Sequence, residues 1–142
     1  MKYTLAPGAT APARATEGSA GYDLSVYFEE PDDFDIIVNR EATTVRTGVS
    51  VAIPNGHVGL VYVRPSLGVK GVVLANGTGV IDSDYHGEIL LKLVALKYPV
   101  ALDHGDRIAQ LVIVPILTPE LEQAETLDET ERGTGGFGST GK

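Results

Sequence analysis

At 142 residues, with 43% hydrophobic and 21% charged side chains, the chain has the size and make-up of one globular domain able to bury its own core. It contains no cysteine, which excludes a disulfide framework and a thiolate metal site. A net charge of −8 argues against a nucleic-acid partner, because phosphate backbones are gripped mainly by Lys and Arg.

Read in chain order, short runs of β-branched and alternating residues recur, and each is expected to be a strand. They fall at 22–27, 36–38, 43–47, 49–53, 58–63, 72–74, 80–81, 89–95, 100–102 and 107–114. Turn signals separate them: Pro54-Asn55-Gly56, Ala75-Asn76-Gly77, His86-Gly87 and Asp103-His104-Gly105. A single turn of helix after Pro65 is the only helical expectation. Regularly spaced short strands with Gly, Pro and Asn between them point to an all-β sandwich or barrel. No apolar stretch has membrane-spanning length and the first residues lack a leader-like run, so a soluble cytoplasmic protein with no membrane partner is expected.

From Thr118 the chain turns polar and acidic, and after Arg132 it ends in six residues of Gly, Thr and Phe followed by Ser139, Thr140, Gly141 and Lys142. The expected division is therefore a β core over 1–117 and a C-terminal arm over 118–142. Such a segment is either a mobile tail or an arm that orders over a ligand. For the second role Arg132 supplies charge, glycine N–H groups can approach phosphates, and Phe137 offers a stacking face. The glycines at 133, 135 and 138 spell G-x-G-x-x-G, but no strand leads into them and no helix follows, so they are not a dinucleotide fingerprint.

Three further segments carry chemistry. Asp82 follows the apolar pair Val80-Ile81, where a strand leaves the core, and Asp84 and Tyr85 come directly after it. A carboxylate there is either a turn cap or a general base. Arg64 to Gly71 ends an apolar strand in Arg, Ser and Gly, which suits either a solvated turn or anion recognition. Gln110 lies within an apolar run and needs a hydrogen-bond partner if buried. The three histidines are scattered and show no metal-ligand spacing.

The order of these segments resembles the trimeric dUTPase family, from about Gly18 to the C-terminus. Five stretches match in sequence: Ala20 to Leu24, Arg64 to Gly71, Asn76 to Gly87, Gly105 to Leu111 and Arg132 to Thr140. The resemblance implies a jelly-roll fold, a homotrimer with active sites shared between chains, and Mg²⁺-assisted hydrolysis of dUTP to dUMP and pyrophosphate. Such an activity keeps uracil out of DNA and supplies dUMP for thymidylate synthesis. It makes Asp82 the catalytic base and places Asp23 either on metal-bound water or as a brace for Arg64, the Mg²⁺ being held mainly by substrate phosphates. Asn76 and Gly79 would serve the uracil, Tyr85 the deoxyribose, and Arg64, Ser66, Gly68 and Gln110 the phosphates and water. Arg132, Phe137, Gly138, Ser139 and Thr140 would close over the nucleotide from a neighbouring chain.

One position departs from the pattern. Many members have Ser after the arginine of the second segment, where this chain has Pro65, which removes a hydroxyl and a backbone N–H. The related dCTP deaminases, and a binding protein that keeps the fold without the chemistry, are the rival readings.

Overall fold

The computed structural model describes residues 1–30 and 35–136. In the strand Glu88–Ala95 every second side chain is buried, Ile89, Leu91, Leu93 and Ala95, while Leu90 and Lys92 face outward. This is the period of two that a pleated strand imposes on a sheet with one dry face. Among the described residues there are ten strands and one helical turn. They are β1 (Lys2–Leu5), β2 (Gly21–Ser25), β3 (Ile36–Val38), β4 (Thr43–Ala52), β5 (His57–Val63), α1 (Pro65–Val69), β6 (Val72–Leu74), β7 (Gly79–Ile81), β8 (Glu88–Ala95), β9 (Val100–Leu102) and β10 (Arg107–Pro115).

Two four-stranded antiparallel sheets, β1-β4-β8-β6 and β2-β10-β5-β7, enclose the core, and β3 pairs with β9 in a small third sheet. Leu24, Val45, Val49, Val61, Leu91, Leu93, Ile108 and Leu111 are among the buried side chains that join the layers. The all-β expectation therefore holds, and among the described residues no helix is long and apolar enough to cross a membrane.

Two local expectations are corrected, and one strand is added. The runs 43–47 and 49–53 are one strand, β4, because the chain bulges rather than breaks at Gly48. Arg46 faces Leu90 and Ser50 faces Glu88, so four steps along β4 span two along β8. Gly48 takes φ +65°, and a Cβ there would stand 2.5 Å from that of Ala9, so only glycine fits the bulge. Next, the tight turn between β7 and β8 is not at His86-Gly87. The turn lies earlier, where Tyr85 N–H donates to the Asp82 carbonyl at 3.2 Å. Finally, β1 had no expectation at all. It is a short exposed edge strand held by its register with β4, Lys2 opposite Ala52 through Leu5 opposite Val49.

Candidate active site

Asp23 on β2, Gln110 on β10 and Tyr62 on β5 stand side by side across one sheet. The Asp23 side chain is mostly shielded and carries two cations. Oδ1 lies 3.0 Å from Arg64 Nε and Oδ2 3.1 Å from Arg107 Nη1. Of the two roles the sequence left open for Asp23, bracing Arg64 is the one the geometry displays; the second arginine was unforeseen. Beside it, Gly21 has no room for a side chain. A Cβ there would lie 2.9 Å from Gln110 Oε1 and 3.0 Å from Gln110 Cβ, so the glycine is what lets Gln110 lie over the strand.

Arg64 is the extended N-cap of α1, with φ −69° and ψ 147°, and Pro65 is the first helical residue. That is the helix position at which a missing N–H costs nothing and a fixed φ helps. Pro65 therefore preserves the local backbone, and Leu67 anchors the turn in the core. Ser66 and Gly68 are exposed on it, and no atom crowds the open side of Gly68.

A second group lies between β6 and β8. Consecutive strands β7 and β8 belong to different sheets, and the fork between them holds two small clefts. One, about 100 Å³, is bordered by Asn76, Gly79, Val61 and Lys92. The other, about 180 Å³, is bordered by Asp82, Tyr85 and Glu88. Val80, Ile81, Ile89 and Leu90 line both. The Asp82 carboxylate is exposed at the exit of β7. Tyr85 folds back so that its hydroxyl donates to the Glu88 carbonyl at 2.8 Å, leaving the ring 44% exposed. The fold-back depends on Gly87, where a Cβ would come within 2.6 Å of Tyr85 Oη.

Glu88 and Arg46 were not singled out by the sequence reading. The Glu88 carboxylate plugs the β4 bulge. Its Oε1 accepts the N–H of Gly48 at 2.7 Å and of Thr47 at 3.2 Å, and its Oε2 accepts Arg46 Nη2 at 2.9 Å. Burial pushes the carboxyl up, but the Arg46 guanidinium and the two backbone donors outweigh it and hold the group below the ordinary carboxylate value. Arg46 is raised in turn by hydrogen bonds to Glu88 and Glu29, and its guanidinium lies 5.2 Å from the Tyr27 ring centroid. Neither residue stands in a pattern that marks it: Arg46 has Thr44 and Thr47 close by, and Glu88 follows His86-Gly87.

The two groups do not meet within one chain. Arg64 follows the last residue of β5, whereas Ile81, next to Asp82, pairs with Gly59 near its start. Five strand steps separate those levels, about 17 Å. Of the arm, residues 118–136 are exposed but for Gly135, without strand or helix, and Arg132 Nε donates to the Gly135 carbonyl at 2.9 Å. Phe137, Gly138, Ser139 and Thr140 lie outside the described residues. A wider depression of about 550 Å³ runs beside β1 and reaches His86, but contains none of the expected substrate-binding residues. Among the described residues no three carboxylates or imidazoles converge to hold a metal ion.

A family model described as dUTPase matches residues 8–141. The Cutibacterium acnes protein named deoxyuridine 5'-triphosphate nucleotidohydrolase is 45% identical over 141 residues, covering 97% of this chain and 90% of that protein. A Rattus norvegicus protein of the same name is 44% identical over 97% of this chain, which spans 65% of the rat protein's length. In solved structures, the Staphylococcus bacteriophage 80alpha dUTPase with dUpNHpp superposes with a TM-score of 0.81 at 31% identity, covering 99% of this chain and 98% of that one. The sheets described above are thus the expected jelly roll, and the chain belongs to the dUTPase family, the dUTP diphosphatases.

Proposed function

We propose that this chain hydrolyses dUTP to dUMP and pyrophosphate in sites assembled from several copies of itself, with Asp82 as general base. The observation that carries the reading is the fork between β7 and β8. It sets an exposed carboxylate, a half-exposed tyrosine ring and a narrow cleft beside Asn76 and Gly79 within one short segment. The uracil enters the cleft by Asn76 and Gly79, and the deoxyribose rests on Tyr85, whose ring leaves no space for a 2′-hydroxyl. Exclusion of UTP by shape suits an enzyme that must ignore an abundant near-copy of its substrate.

Asp82 orients a water and takes its proton as the oxygen attacks the α-phosphorus. The bond from that phosphorus to its bridging oxygen breaks, and pyrophosphate leaves with the electron pair. Arg64, held at a fixed angle by Asp23, together with Ser66, Gly68 and Gln110, receives the phosphates of a nucleotide seated on a neighbouring chain. The separation of these residues from Asp82 along β5 supports sharing between chains, and a homotrimer is the assembly we assign. The arm, residues 118–142, closes from a neighbour, with Arg132, Ser139 and Thr140 on the terminal phosphate, Gly138 at the backbone and Phe137 on the base. The donor set suits Mg²⁺ held mainly by the triphosphate rather than caged by protein; Asp23 would be the residue to reach it through water, and the ion would supply neutralisation of phosphate charge. The product supplies thymidylate synthesis, and the hydrolysis keeps uracil out of DNA.

The deciding experiment is pyrophosphate release from dUTP, UTP, dTTP and dCTP, with and without Mg²⁺. Release from dUTP alone, and only with the metal, is expected. Ammonia from dCTP, or equal turnover of UTP, would overturn the assignment.

A further inference from the structure

The side-chain network behind the nucleotide fork has no part in the mechanism above, yet it is the most heavily bonded charge in the described molecule. Glu88 is the first residue of β8 and carries two unrelated attachments. Its carbonyl accepts the Tyr85 hydroxyl at 2.8 Å. Its carboxylate spans to β4 and takes the Gly48 and Thr47 N–H groups with the Arg46 guanidinium. The extra residues of the β4 bulge leave those N–H groups without a partner in the β8 ladder, so the carboxylate completes the sheet where its register slips. Thr47 Oγ1 seals the same spot from the inside, donating to the Ile89 carbonyl at 2.7 Å. The far side of Arg46 is held by Glu29 and the Tyr27 ring.

The consequence runs outward from the bulge. The carboxylate, together with the pairing of Glu88 opposite Ser50, ties the first residue of β8 to β4, and the carbonyl of that residue is the acceptor for Tyr85. Gly87, next in line, leaves the gap into which the ring folds. We propose that Glu88 is a positioning residue for Tyr85: the Glu88 carboxylate, seated in the β4 bulge, sets the angle at which the Tyr85 ring faces the 180 Å³ cleft. Its effect on sugar selectivity rests on the reading of Tyr85 given above; its effect on the ring itself does not.

The test uses full-length protein labelled with ¹³C-tyrosine, the Tyr85 ring signals being assigned by Tyr85→Phe. In ligand-free Glu88→Ala those signals should move to the averaged position of a free tyrosine. The ratio of kcat/KM for dUTP over UTP should fall about tenfold, the loss expected when one discriminating contact is misplaced. Glu88→Gln, which keeps an acceptor oxygen for Thr47 and Gly48, should restore most of both. Glu88→Asp, which keeps the charge but shortens the reach by one methylene, should shift both readouts in the direction of Glu88→Ala, and it replaces that variant if the alanine protein does not fold. Tyr85 signals that stay at their wild-type positions in a folded Glu88→Ala or Glu88→Asp protein overturn the inference. If instead Tyr85→Ala keeps wild-type selectivity, the sugar reading fails by itself, and the ring signals still decide the role of Glu88.

Discussion

Asp82 is an exposed carboxylate at the mouth of a cleft, and in the proposed mechanism it does one thing, the removal of a proton from water. Asp82→Asn keeps the shape and hydrogen-bonding reach of the side chain but not its basicity. Turnover should therefore fall by roughly 10²- to 10⁴-fold while dUTP binding, followed by calorimetry, stays near wild type. Gly21 acts by absence. Gly21→Ala drives a methyl group into Gln110 and should lower kcat/KM roughly tenfold or more through a displacement of ångström scale, with a small change in melting temperature. An unchanged kcat/KM would show that Gln110 takes no part. At this scale the sequence was legible where function sits in contiguous residues. Asp82, Tyr85 and Asn76 share one segment, so a pattern exposes them. The Glu88–Arg46 pair lies 42 positions apart and is created by a register slip that no local pattern encodes.

Among the elements, β8 was readable because its burial alternates without interruption, and α1 because Pro65 opens a single turn. β4 was misread as two strands because glycine signals both a break and a bulge, and only its partner strand decides between them. β1 is exposed along its whole length and so presents no dry face to detect. The bulge yields a stability prediction. Gly48→Ala must hold a side chain at φ +65° and against Ala9, so it should lose roughly 1–3 kcal/mol in urea denaturation. A neutral substitution would mean that the bulge relaxes freely. The Pro65 departure from the family pattern leaves the backbone of the second segment intact: the residue occupies a helix position that tolerates proline, and the Arg64 side chain is paired with Asp23.

At the scale of the whole molecule, the jelly roll was legible from strand spacing joined to the five ordered segments, while the split between Arg64 and Asp82 was not, since it follows from the antiparallel pairing of β5 with β7. Two expectations test the shared site. Arg64→Ala and Asp82→Asn, each inactive alone, should regain activity when refolded together, because a mixed site can draw the arginine from one copy and the carboxylate from another. Absence of recovery in a mixture shown to contain both copies would sink the shared-site reading. Truncation before Arg132 should abolish most turnover and leave the melting temperature nearly unchanged, since residues 118–131 are exposed and outside the sheets; full activity of the shortened chain would remove the arm from the mechanism. The spacing along β5 has one more implication under the proposed function. A lone chain holds parts of several sites and the whole of none, so specific activity becomes a matter of mass action. Dilution below the concentration that keeps copies together silences every chain at once, and one defective copy damages sites that its neighbours also use.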